Sequence, residues 1–216
     1  SKAKAAKAVS GLLGSLGVNV GTKLDDAAKI VPKSEDELAA EELALGPEIT
    51  GRILGARPLW NDPAAQRRVN LVGRWVASQT SRPDLPWTFG VIDTPEVNAF
   101  AAPGGYVLIT RGLYELLSTD SELAAALAHE ISHCVQRDHY NVIHKQEMAD
   151  TAKERALSQV TTGNDTTAGR YARRYAEEHG AAIMLTSLDR EAEYRADAGA
   201  EVYLARAGMN PLALYS

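Results

Sequence analysis

The sequence predicts an α+β domain, mostly helical, with a small antiparallel sheet set just ahead of one apolar, alanine-rich helix. Three observations carry this. Helix starts recur, with capping boxes at Ser34-Glu35-Asp36-Glu37 and Thr119-Asp120-Ser121-Glu122 and an Asp62-Pro63 pair. From Trp87 to Thr110 the hydrophobic period changes to two. Directly afterwards Leu123, Ala126, Leu127, Glu130 and Cys134 follow at spacings of three and four.

Residues 1–33 read as an N-terminal extension and 34–216 as one domain. Val9, Leu12, Leu13 and Leu16 outline an amphipathic helix interrupted by Gly11, Gly14 and Gly17. The box at Ser34 opens a helix toward Leu54, in which Gly46-Pro47 is expected to bend or break the run. Val69, Val72, Trp75 and Val76 give the Asp62-capped helix its apolar face. Thr88–Thr94, Val97–Ala101 and Tyr106–Thr110 read as strands, with turns at Thr94-Pro95-Glu96 and Pro103-Gly104-Gly105. A short bridge, Gly112–Leu117, leads into the alanine-rich helix. Beyond Asp138 the chain stays helical to about Val160. A polar connector follows at Thr161–Thr167, then a helix over Ala168–Gly180. The last helix carries Arg190 to Asp197 and closes at Gly208.

The chain of 216 residues, 45% hydrophobic and 24% charged, is long enough for a proper core. Its net charge of -5 argues against nucleic acid or an anionic membrane as partner. Arg170, Arg173 and Arg174 lie among Tyr171 and Tyr175, but Glu177 and Glu178 offset them. No apolar run of about 18 residues exists, so no transmembrane span is expected. The single Cys134 excludes an internal disulfide and a cysteine-rich zinc site. The chain opens at Ser1 without a signal-peptide pattern, and the expectation is that a presequence was removed or the sequence trimmed.

The chemistry concentrates in His129-Glu130-Ile131-Ser132-His133. Histidines four apart on a helix lie one above the other, so both imidazoles reach one metal ion. Glu130 is rotated about 100° from His129, placed to serve as a general base beside the open coordination position. That is the donor set of a zinc peptidase, with one Zn2+ per chain. The alternative is a core helix whose histidines bond carbonyls, a costly use of three polar residues on an apolar helix. Glu193 and Asp197, also four apart, lie among Ala196, Ala198, Gly199 and Ala200. On an inward face they need a cation or partners. Glu193 as third metal ligand and Asp197 as acceptor behind a ligand histidine would satisfy both. The alternative pairs them with Arg190 and Arg195 in solvent. Asn98, Ala99, Phe100 and Ala101 form the candidate sheet edge for binding a substrate backbone, the alternative being an ordinary supporting strand. Cys134 reads as a small core residue. His139, His144 and His179 lack ligand spacing and read as structural, with His139 noted for its nearness to His133.

These motifs together resemble the HtpX and CAAX-prenyl-protease type of zinc metallopeptidase, a gluzincin family. Asn98-Ala99-Phe100-Ala101-Ala102-Pro103-Gly104-Gly105 and Thr110-Arg111-Gly112-Leu113 are similar to its stretch before the active helix. His129 to His133 matches its metal motif, Arg190-x-x-Glu193-x-x-Ala196-Asp197 its glutamate motif, and Ala207-Gly208-Met209-Asn210-Pro211 the segment after it. Asp189 stands where that family commonly has Ser. The resemblance implies a zincin-like metallopeptidase domain and a zinc-dependent endopeptidase acting on polypeptides, such as misfolded or outer-membrane proteins. Without a span the chain is more similar to the bacterial members of the periplasm or envelope, often lipoproteins, that take part in protein quality control. The family also supplies a downstream His or Arg that contacts the site, a role assigned to no residue here. The competing expectation is a metal-stabilised, chaperone-like module that holds polypeptides without cutting them; a second is a zinc hydrolase of non-peptide amides.

Overall fold

The computed structural model describes residues 34–158 and 188–215, with side chains described to Asp150 in the first stretch. The proposed extension, the connector at Thr161–Thr167, the helix over Ala168–Gly180 and His179 lie outside the described residues. By its contacts the chain divides into Ser1–Leu38 and Ala39–Ser216. In the first of these Ser34 and Glu37 make the reciprocal bonds of a capping box, as the sequence predicts.

The elements are α1 (Glu35–Ala56), α2 (Pro63–Ala77), β1 (Thr88–Ile92), β2 (Ala99–Ala102), β3 (Tyr106–Thr110), α3 (Arg111–Leu116), α4 (Asp120–Gln136), α5 (Asp138–Ser158) and α6 (Arg190–Arg206). A 3-10 turn at Pro211–Tyr215 follows. The fold class is α+β, mostly helical with one small sheet. Among the described residues no helix is long and apolar enough to cross a membrane.

Local chemistry sets most boundaries. The Asp62 carboxylate accepts from the backbone N–H groups of Ala64 and Ala65, and Pro63 takes the first turn of α2. Thr119 and Glu122 close a full capping box on α4. Asp189 caps α6 through the Ala192 N–H, so the change from Ser leaves the cap in place. Gly208, at φ 72°, ends that helix, with Met209 N–H bonded to Leu204 C=O.

One expectation is narrowed, from a bend or break to no break, and one is revised. Helix α1 runs unbroken through Gly46-Pro47. Pro47 forfeits only its bond to the Leu43 carbonyl, and Leu43 is exposed, so water can serve that group. Gly46 is required there, since a Cβ would stand 2.3 Å from the Pro103 carbonyl oxygen. The sheet, in turn, is mixed rather than purely antiparallel, in the order β1-β3-β2. β3 pairs antiparallel with β2 and parallel with β1. The segment after Ile92 does not turn back. Its Thr94 carbonyl accepts from Gly112 N–H, and the Pro95 carbonyl lies where a Gly112 Cβ would be. The chain thus crosses the end of β3 before returning as β2.

The two sheet edges differ. On β1 the Asn70 side chain bonds both the N–H and C=O of Phe89, and Gln66 does the same for Val91. Both amides come from α2, whose Gly73 lies against the Phe89 ring. On β2, Thr110 N–H bonds Asn98 C=O, and alternation then turns the backbone groups of Ala99 and Ala101 away from β3. That second edge borders α4, where Cys134 Sγ–H donates to Ala102 C=O at 3.3 Å. Cys134 is buried, and burial pushes its thiol far above the ordinary range, as suits a core residue.

Helix α6 packs along α4 through Ala192, Ala196, Ala200 and Leu204, all buried. A Cβ at Gly199 would stand 2.2 Å from the buried Ser132 Oγ. Gly199→Val is therefore expected to push the helices apart, at a cost of ~1–3 kcal/mol, and to weaken metal binding through residues that α6 carries. Gly51→Ala is the control. With nothing within 4 Å of its Cβ it should gain roughly 0.5–1 kcal/mol. Urea midpoints and zinc titrations of both variants check the pair.

Candidate metal centre

Helix α4 presents His129 and His133 one turn apart, and α6 brings Glu193 opposite them. The two Nε2 atoms lie 3.1 Å apart. Glu193 Oε2 is 3.3 Å from His129 Nε2 and 3.8 Å from His133 Nε2. Each imidazole uses its other nitrogen elsewhere. His129 Nδ1 bonds Asp197 Oδ1 at 2.9 Å, and His133 Nδ1 bonds Asp138 Oδ2 at 2.9 Å. With Nδ1–H donating to a carboxylate, each Nε2 is left as a bare acceptor, so two lone pairs and a carboxylate oxygen point at one spot. Without a cation that arrangement repels. Ligands about 2.1 Å from one ion at tetrahedral angles stand about 3.4 Å apart, and the three separations straddle that value. The donor set fits zinc.

The structure brings His129, His133 and Glu193 to one point, with Asp197 behind His129. Glu193 and Asp197 face the histidines rather than solvent arginines. Arg195 instead points along the outside of α6 to Gln136 and Asp138. Asp138 was not singled out from the sequence. It is buried, it orients His133, and Arg195 Nη2 lies 3.3 Å from its second oxygen. Its only sequence signal is its place one residue beyond Arg137, which adopts a left-handed φ of 59° where a glycine would be easier.

Glu130 is partly buried on α4 and is not one of the three converging groups. Burial pushes its carboxyl above the ordinary range, the two imidazoles oppose this, and the Glu193 carboxylate adds to it. A carboxyl so raised beside a metal site receives and returns a proton more readily than an ordinary carboxylate. For His133, burial lowers the imidazole, but the Asp138 bond with the nearby Glu130 and Glu193 carboxylates outweighs it and the net direction is up.

His139 packs edge-on to His133 at 5.9 Å between ring centroids. Its Nδ1 is buried without a hydrogen-bond partner, and its ring atoms are not among those that converge with His129, His133 and Glu193. Burial first, then the nearby His133, lowers its pKa to about 4, with Asp138 opposing. A base depressed in the folded state is protonated first in the unfolded chain. Stability is therefore held above the unfolded value and lost as pH falls from ~6.5 toward ~4, by about 3 kcal/mol in all. His139→Leu should flatten that acid limb; urea unfolding across the range measures it.

Of the candidate edge residues, Ala99, Phe100 and Ala101 lie in β2, and Asn98 precedes it. Asn98 Oδ1 accepts from its neighbour's N–H, that of Ala99, at 2.8 Å.

A sequence profile described as peptidase family M48 matches residues 63–216, well over half the chain. The chain belongs to peptidase family M48. Within that family, it is 35% identical over 97 residues to a beta-barrel assembly-enhancing protease of Escherichia coli (strain K12), covering 45% of this chain and 20% of that protein. It is 38% identical over 69 residues to the mitochondrial metalloendopeptidase OMA1 of Schizosaccharomyces pombe, covering 32% of this chain and 20% of that protein. The bovine mitochondrial metalloendopeptidase OMA1 is 36% identical over 52 residues, 24% of this chain and 10% of that protein. The chain spans a fifth or less of the length of these M48 relatives. The profile begins at Pro63, so helix α1 lies outside the family match.

Proposed function

We propose that the chain is a zinc-dependent endopeptidase that hydrolyses polypeptides, with a metallopeptidase domain over 34–216 and 1–33 as an extension. The observation that supports this best is the convergence of two lone-pair nitrogens and one carboxylate oxygen, each imidazole locked in that tautomer by an acid behind it. In this reading His129, His133 and Glu193 hold one Zn2+, and Asp197 and Asp138 fix the rings. When bound, zinc supplies the Lewis acidity that acidifies a water and polarises the scissile carbonyl. Glu130 accepts the water's proton and returns it to the leaving nitrogen, so no covalent intermediate with the protein is required.

The substrate we assign is an extended polypeptide lying at the Asn98–Ala99 end of β2, where the strand reaches solvent before Phe100 and Ala101 are buried. Pairing at β1 is blocked by Gln66 and Asn70, and only the β2 edge borders the helix that carries Glu130. In this reading the role lies in the bacterial envelope, on misfolded or outer-membrane proteins, and likeness to a protease named for beta-barrel assembly supports it.

Metal removal is the direct test. Chelator should abolish cleavage of an unfolded protein, and added zinc should restore it. Glu193→Ala should lower zinc affinity by at least the 10–100-fold seen for lost supporting groups. Because both ligand imidazoles must be neutral to bind, affinity should fall as pH drops through the raised His133 range. Polypeptide binding without cleavage at full zinc loading would replace the peptidase reading with that of a holding module.

A further inference from the structure

Away from this centre, a second group of side chains has ligand atoms within 4.8 Å of one another: Glu41 on α1, and His144 and Glu147 on α5. His144 and Glu147 are three apart on one helix face, a spacing that lets an imidazole and a carboxylate share an ion. Glu147 is almost wholly buried. The His144 ring is about a quarter exposed at its edge, but its Nδ1 is buried and has no hydrogen-bond partner. The distance from that nitrogen to Glu147 Oε2 is 3.6 Å. This is too long for a hydrogen bond and close to the ~3.4 Å between two ligands on one zinc.

The surroundings hold these groups in place. Tyr140, one turn before His144, stacks on its ring at 5.9 Å and 11°. The same tyrosine donates its O–H to Glu41 Oε2 at 3.0 Å. One residue therefore sets both the imidazole plane and the opposing carboxylate, which is what supporting groups do at metal sites.

We propose that Glu41, His144 and Glu147 form a second zinc site, a structural clasp between α1 and α5 that takes no part in hydrolysis. One nitrogen and two carboxylate oxygens suit zinc, and the geometry leaves Nδ1 as the ligating atom. The clasp would fasten a helix outside the family match to the helix that follows the peptidase motif. It does not depend on the peptidase reading.

The test uses the full chain, stripped with chelator and titrated with zinc while bound metal is counted. Wild type should take two equivalents, His144→Ala one, and a His129→Ala/His133→Ala double variant also one. Zinc should raise the melting temperature of that double variant, and adding Glu41→Gln should remove the rise. His144→Ala should retain chelator-sensitive cleavage. If it does not fold, Glu41→Gln in the wild-type background, with folding checked by circular dichroism, gives the same count. Single-equivalent binding by wild type, or unchanged stoichiometry in His144→Ala or the folded Glu41→Gln, overturns the clasp. Loss of all zinc from the histidine double variant also overturns it, while leaving the peptidase centre standing.

Discussion

Glu130→Gln should retain zinc at wild-type affinity while peptide hydrolysis falls ~10²–10⁴-fold. The substitution keeps the size of the side chain and removes its capacity to take a proton. Glu130 is not among the three groups whose atoms converge, so the metal should not register the change. The expected loss corresponds to about 3–5 kcal/mol of transition-state stabilisation. Cleavage of an unfolded protein, measured beside zinc content, separates the outcomes. Cleavage at the wild-type rate with zinc in place would take the proton-transfer role away from Glu130.

The largest effect on stability is expected at Glu42. Its carboxylate is fully buried on α1 and receives a two-bond grip from Arg82, at 2.8 and 2.7 Å. Arg137 adds a contact at 2.9 Å, and Gly104 N–H a longer one at 3.3 Å. Arg82 also donates to the Cys134 carbonyl at the end of α4. Glu42→Leu leaves two guanidinium groups facing apolar surface. Breaking a buried pair costs ~3–5 kcal/mol, and the lower end is expected because both arginines keep some access to water. Urea denaturation should show a shifted midpoint with an unchanged slope. A cost under ~1 kcal/mol, the value of a surface pair, would mean the network adds little.

Short-range chemistry was the readable part. Thr119 and Asp62 announce their helices because a cap is decided within three residues. His129 with His133 and Glu193 with Asp197 declare shared faces because four residues make about one turn. Strand order is decided by pairings between distant segments, so nothing near Pro95 told the β1 connection to pass β3 rather than fold back. Pro47 misled for the same reason, since its tolerance depends on solvent at Leu43 and on Pro103 against Gly46. Asp138 escaped because it lies five positions after His133, about 140° round an unbroken helix, and reaches that ring only through the left-handed turn at Arg137. Gln66 and Asn70 looked like ordinary polar residues of an amphipathic helix, and their partners lie 19 to 25 positions away.

The side-chain amides along β1 bear on the behaviour of the molecule at high concentration. An open strand on both flanks would let copies add to one another indefinitely, the route to cross-β fibres. With β1 capped, and Phe100 to Ala102 of β2 buried against α4, this sheet offers little edge to a second copy. Converting Gln66 and Asn70 to leucine would strip the amide partners from Phe89 and from the Val91 N–H, while Trp60 N–H still holds the Val91 carbonyl, and should raise thioflavin-positive aggregation at high concentration.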